Sequence, residues 1–320
     1  MNAGLSHNGT PLVSVVLLNY KRRQALELTL DSVLHQQYAN REIIVVDNGS
    51  QESLRDLVEA RGPGVKLIEL RENLGAGGGR NAGIREARGE IVITLDDDMS
   101  FASPFEIDKT VWTFQERPQV HVLAFQVCDP ETGKLRLREW CHPRSWQEFG
   151  QSEFETHFFV EGACACRREV YEQAGLYYEP LFIYCEGYDL ALRILDRGFR
   201  ILYAPAIRAF HRMSPVTRTA EKPYYFFTRN YVWIAYKDYA IFNGIRFFLA
   251  KFAMMLYFTL RSGRFRPFLR GLRDGIAGLR RIRRVRTPVR RATVRYLAEL
   301  ERCRPGMLFR FARHRTQPQL

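Results

Sequence analysis

Ile91-Val92-Ile93-Thr94-Leu95-Asp96-Asp97-Asp98-Met99 is the stretch on which the reading of this chain turns. Its apolar and partly β-branched first half predicts a buried strand, and three consecutive carboxylates follow at the strand's end. Adjacent carboxylates repel one another, so a fold keeps them together only where solvent or a cation neutralises them. In extended chain Asp96 and Asp98 point to one face and Asp97 to the other. Two carboxylates on one face suit a hard divalent cation such as Mg²⁺ or Mn²⁺, which prefers oxygen ligands and keeps positions open for phosphate. A solvated acidic turn would also satisfy the triplet taken alone, so the flanking elements decide.

Upstream, Leu12 to Leu18 is another apolar strand run, closed by Asn19-Tyr20-Lys21-Arg22-Arg23. Leu26, Leu30, Val33 and Leu34 then recur at helical spacing, and Glu42 to Val46 forms a second strand that ends at Asp47-Asn48-Gly49-Ser50. Strand, helix and strand with short connections predict a βαβ unit, a parallel sheet, and ligands beyond the carboxyl ends of the strands. A helix over Ser53 to Arg61, a strand over Val65 to Leu70, and a glycine-rich loop from Gly75 to Gly83 carrying Arg80 and Asn81 are expected next. Such a loop lets backbone N–H groups approach phosphate, although neither a Walker sequence nor a full dinucleotide fingerprint is present.

In this order the elements resemble a family 2 glycosyltransferase of the GT-A fold. The resemblance implies an α/β domain with a mixed, mostly parallel sheet flanked by helices that binds a nucleotide sugar. It implies that Asn19, Tyr20, Arg80, Asn81 and Asp97 line the donor, that Asp47 contacts the base, that Asp96 lies near the ribose, and that Asp98 holds the divalent metal. His211, just past the last predicted strand, would join Asp98 on that metal.

The second informative stretch is Phe182 to Arg193, where Glu186-Gly187-Tyr188-Asp189-Leu190 opens a predicted helix. A carboxylate at a helix N-terminus is also simply stabilised by the dipole. In the resembling family an acidic pair stands here, and Gly187 replaces its second member. Inverting transfer needs one carboxylate to take the acceptor proton. Glu186 fills that role if the base is the first position, and Asp189 would have to substitute if it is the second. We favour Glu186, because Asp189 aligns with a helix-buried acid paired with Arg193.

The remaining sequence sets the frame. A chain of 320 residues with 46% hydrophobic content can bury a sizeable core. The net charge of +13 is concentrated: from Arg261 onward stand 18 Arg against Asp274, Glu299 and Glu301, leaving 30 basic and 32 acidic residues for the first 260. Six cysteines without paired spacing exclude a disulfide or zinc framework. Polar residues 1–11 lack a signal-peptide core, so a cytoplasmic catalytic part is expected. Thr110 to Phe114 suits a helix, Val120 to Val127 a strand, Lys134 to Trp140 a polar strand, and Arg200 to Tyr203 a strand separate from Ile207 to His211.

A flexible start (1–11), a catalytic domain (12–215), an aromatic helical extension (216–260) and an Arg-rich amphipathic tail (261–320) make up the expected organisation. The extension carries a Tyr-rich Arg229-Asn230 element resembling that of bacterial members acting on cell-surface glycans. Ile241 to Leu260 has the length of a membrane span, but Arg246 and Lys251 interrupt it, so an interfacial helix is expected. With the tail's Arg beside apolar residues, this predicts peripheral attachment to an anionic membrane surface. The expected partners are a nucleotide sugar and a glycan or lipid-linked acceptor, with no nucleic acid. A sugar-nucleotidyltransferase would need catalytic Arg and Lys directly after the first strand, where Asn19-Tyr20 stands. The Arg-rich tail taken alone would also suit a nucleic-acid-binding protein, and Gly187 a binding protein without catalysis.

Overall fold

A computed structural model describes residues 10–213 and 219–302. The first nine residues of the expected flexible start, the 215/216 boundary and the tail from 303 onward lie outside the described residues. The apolar runs form the centre of one sheet: β1 (Val13–Asn19), β2 (Arg41–Asp47), β3 (Val65–Glu69) and β4 (Ile91–Asp96), parallel in the order β3-β2-β1-β4. Every residue of β1 is buried, as a strand covered on both faces requires.

Five further strands complete the sheet: β5 (Met99–Phe101), β6 (Val122–Cys128), β7 (Phe154–Thr156), β8 (Ala163–Arg167) and β9 (Ile201–His211). β8 runs antiparallel to β4 and to β6, β6 is parallel to β9, and β5 and β7 pair antiparallel with β9. One face is covered by the Arg23–Leu34 and Glu106–Glu116 helices through Leu26, Leu30, Val33, Ile107 and Phe114. The other carries the Gly75–Glu86, Arg168–Ala174 and Glu186–Asp196 helices.

Four local expectations need correction. The glycine-rich run is the helix Gly75–Glu86 itself, and only Gly75 in it adopts a positive φ. Its glycines bring the helix backbone against the sheet: a Cβ at Gly79 would overlap Leu18, and one at Gly83 would overlap Val16. Lys134 to Trp140 is no strand. It makes one bridge, Leu135 with Cys128, and turns into a 3₁₀ helix, Leu137–Glu139, while Arg136 donates to the His211 carbonyl at 2.8 Å. Finally, Arg200 to His211 forms one strand: the ladder with β6 steps from Phe125↔Ala204 to Gln126↔Arg208, so Pro205, which has no N–H, sits in the bulge. The helix expected over Ser53 to Arg61 is confined to Arg55–Glu59.

Beyond the sheet, the Lys222–Lys237 helix packs against the Ile241–Ser262 and Phe265–Ala277 helices. The Arg291–Arg302 helix folds back on the sheet domain: Thr293 donates to Asp196 at 2.6 Å, Tyr296 to Glu155 at 2.6 Å, and His157 meets Glu301 at 2.5 Å. This much of the Arg-rich tail is packed structure. Ile241–Ser262 is long and apolar enough to cross a membrane, and it exposes Ile241, Phe242, Ile245, Leu249 and Leu260.

His142 is buried among Trp140, Phe154, Phe158 and Tyr203, and burial pushes its pKa down to about 3. The unfolded chain binds this proton near 6.5 and the folded chain does not, so stability falls as pH drops through that window, by up to ~1.4 kcal/mol per pH unit for one proton. Urea midpoints between pH 7 and 5 should therefore fall less steeply in His142→Phe than in the wild type. Equal slopes would place a proton on His142 in the folded state.

Candidate active site

The site assembles at the carboxyl ends of β1, β2 and β4, where parallel register sets Asn19 beside Asp47 and Leu18 beside Asp96. Asn19 Nδ2 donates to Asp47 Oδ1 at 3.2 Å, and Ser50, which closes the turn after β2, donates its hydroxyl to the same carboxylate. Lys21 N donates in turn to Ser50 Oγ at 2.7 Å.

The triplet is held from two sides. Tyr20 N donates to Asp97 Oδ2 at 3.1 Å, and Arg22 Nη1 bridges Asp97 at 2.8 Å and Asp98 at 2.6 Å. Burial pushes the Asp97 carboxyl up to about 8 against the pull of Arg22. Thr29 Oγ1 donates to the Asp97 carbonyl at 2.8 Å, and Arg212 N to that of Asp98 at 2.8 Å, so the turn is fixed by backbone as well as side chain.

His211, at the end of β9, sets Nε2 3.5 Å from Asp98 Oδ2 and Nδ1 3.0 Å from Glu139. Burial works against a charged imidazole here, but the hydrogen bonds to Asp98 and Glu139 overcome it and raise its pKa to about 9. A carboxylate and an imidazole facing each other form a donor set that Mn²⁺ or Mg²⁺ accepts once the imidazole is neutral. Among the described residues no group of three or more His, Cys, Asp or Glu surrounds a common point, so the remaining ligands of a cation would have to come from substrate or water.

Across the rim, Arg80 projects from the Gly75–Glu86 helix with 3% of its surface exposed, 2.5 Å from Asp96 and 3.6 Å from Glu186. Glu186 opens the Glu186–Asp196 helix, is buried, and leaves Oε2 without a hydrogen bond among the described residues. Burial first, and Glu161 second, push its carboxyl up to about 8, with Arg80 opposing. The segment delivering it is strained, with positive φ at Phe182, Tyr184 and Cys185. It is held from outside the sheet. Asn230 Nδ2 points at the carbonyls of Leu181, Ile183 and Tyr184 at 2.7–3.0 Å, and Arg229 donates to those of Pro180 and Leu181.

Thus Asn19, Tyr20, Asp47, Arg80, Asp96, Asp97, Asp98, His211 and Glu186 converge on one rim. Two candidates do not join them. Asn81 spends its amide on the Tyr177 backbone and the Glu179 carboxylate, at 2.9–3.0 Å. Asp189 is fully buried between Arg193, at 2.7 Å, and Lys237, at 2.5 Å. Sequence reasoning missed Arg22, Glu139 and Glu161. Arg22, two residues past Asn19-Tyr20, was the one within reach of inspection, since three carboxylates call for a cation.

Comparison with known proteins gives the family and the fold. A family model described as glycosyl transferase family 2 matches residues 14–175. The O-antigen biosynthesis protein RfbC of Myxococcus xanthus is 26% identical over 250 residues, which is 72% of this chain; the chain spans 19% of that protein's length. Two solved structures share the fold. S. aureus TarS 1-349 in complex with UDP-GlcNAc has a TM-score of 0.58 at 16% identity, over 85% of this chain and 83% of that one. Mannosyltransferase PcManGT from Pyrobaculum calidifontis, in complex with GDP-Man and Mn²⁺, has a TM-score of 0.55 at 18% identity, over 95% and 83%. The fold is GT-A, as the element order predicted.

Proposed function

The chain belongs to glycosyl transferase family 2, and on that premise we propose that it moves one sugar from a UDP- or dTDP-sugar to a hydroxyl of a glycan or lipid-linked acceptor, with inversion at the anomeric carbon. The observation that carries this reading is the opposition of two groups across one rim: the Asp96-Asp97-Asp98 turn, already matched with cationic side chains, and a buried carboxylate, Glu186, whose Oε2 has no hydrogen bond among the described residues.

Asp47 and Asn19 receive the base, Asp96 lies towards the ribose, and Tyr20 and Asp97 shape the donor floor. Arg80 aligns Asp96 with Glu186 and supplies the positive charge between them. Glu186 takes the proton of the acceptor hydroxyl while that oxygen attacks the anomeric carbon from the face opposite the nucleoside diphosphate. The new glycosidic C–O bond forms as the sugar–phosphate C–O bond breaks, and the diphosphate leaves with the bonding pair. Asp98 and His211 would hold a divalent cation, Mn²⁺ or Mg²⁺, which offsets the charge growing on the leaving diphosphate. The exposed apolar side of Ile241–Ser262 and the Arg of the following helices support attachment to an anionic membrane surface on the cytoplasmic side, where lipid-linked acceptors are presented.

Hydrolysis of UDP-, dTDP- and GDP-sugars with Mn²⁺ or Mg²⁺ tests the reading. Metal-dependent release of the nucleotide is expected for the wild type and should be lost in Asp98→Ala. Absence of turnover with every donor and metal would overturn it.

A further inference from the structure

Gly187 stands where the resembling family carries a second acid, and the structure gives a physical reason for the glycine. A Cβ built at position 187 would overlap the Glu161 carboxylate. Glu161 arrives from the loop before β8, and its Oε1 accepts the Gly187 N–H at 2.7 Å. That loop is fixed to the strand bearing the aspartates, because Thr94 Oγ1 donates to the Glu161 carbonyl at 2.6 Å and Asp96 N donates to the carbonyl of Gly162. The carboxylate missing from the helix is therefore supplied by a different segment.

From this arrangement we infer that Glu161 is the second carboxylate of the acceptor-side pair and a positioning residue for Glu186, on which it acts through space. The inference rests on the reading of Glu186 as the base. Two carboxylates, Glu161 and Glu186, share the field of one buried guanidinium, Arg80, which Asp96 also claims. Burial pushes the Glu161 carboxyl up as it does that of Glu186, with Arg80 and the Gly187 N–H pulling it back; because Glu161 Oε1 accepts that N–H at a helix N-terminus while Glu186 Oε2 has no hydrogen bond among the described residues, the charge of the pair falls to Glu161. Its charge makes the proton on Glu186 leave late and gives Glu186 the basicity to take the acceptor's proton. The other titratable or charged groups that bear on Glu186 are Arg80 on the Gly75–Glu86 helix, Asp96 at the end of β4, Tyr177 beside Gly77, and the adjacent Cys185 thiol, itself influenced by Lys251 of the Ile241–Ser262 helix.

The test is the pH profile of metal-dependent nucleotide-sugar hydrolysis, water standing in for the acceptor, on the full chain. Glu161→Gln keeps an oxygen for the Gly187 N–H and removes only the charge. Its acid limb is expected about one pH unit below that of the wild type, because Glu186 then titrates beside Arg80 without a like charge. Glu161→Ala should shift the limb likewise and lower the plateau several-fold, as a weaker base does. Glu161→Ala/Gly187→Asp, which returns a carboxylate to the helix, should restore both. An acid limb in Glu161→Gln that coincides with that of the wild type overturns the inference and leaves the transferase reading standing. A Glu186→Gln variant with wild-type turnover overturns the base assignment, and the inference with it.

Discussion

Glu186→Gln is expected to lower turnover by ~10²–10⁴-fold while leaving donor affinity within a few-fold of the wild type. The substitution is nearly isosteric, and Glu186 lies at the N-terminus of its helix with Arg80 as the one opposite charge within 4 Å among the described residues. A Gln there can face the same guanidinium and keep the fold, yet it cannot take a proton. The proposed donor side of the rim, built from Asn19, Asp47 and the Asp96-Asp97-Asp98 turn, is unaltered, so calorimetric titration with the nucleotide sugar that the wild type turns over should report intact binding beside a collapsed rate. A loss of less than tenfold would mean that another group takes the proton, and the base would have to be sought elsewhere on the rim.

The second large effect concerns stability. Lys237 is 5% exposed and places its ammonium 2.5 Å from Asp189 and 2.6 Å from Asp238, both of which are fully buried. Lys237→Ala leaves two carboxylates in a low-dielectric interior with Arg193 alone to serve Asp189. Removing one partner of a buried ion pair costs about 3–5 kcal/mol, because the charge left behind is uncompensated. Urea denaturation at pH 7 should show a loss of that order. Asp189→Asn should also unfold more readily while retaining most of its turnover per folded molecule, since Asp189 is engaged on both oxygens away from the rim. If Asp189→Asn instead lost turnover at unchanged stability, Asp189 would be a member of the catalytic rim.

The inner parallel strands β1, β2 and β4 were legible because they are buried on both faces and so read as apolar runs. The triplet at the end of β4 was legible for a related reason: charge directly after such a run has only a rim to occupy. The glycine run from Gly75 misled because glycine marks loops by its conformational freedom, whereas here it serves close approach of a helix to Leu18 and Val16, a partnership invisible along the chain. Lys134 to Trp140 alternates like a strand, but Arg136 and Trp140 are claimed by the His211 carbonyl and an aromatic cluster. Gly187 read as a defect for the same reason: Glu161, its counterpart, lies 26 residues earlier.

Arg229 and Asn230 lie beyond the segment matched by the family pattern, yet their side chains clamp the carbonyls that precede Glu186. The Lys222–Lys237 helix also brings the cation for Asp189. The segment matched by the family pattern is thus not an interchangeable cassette. Recombination between relatives that cut after β9 would hand the recipient the Glu186 loop without its scaffold, so the heritable unit must run at least through Lys237.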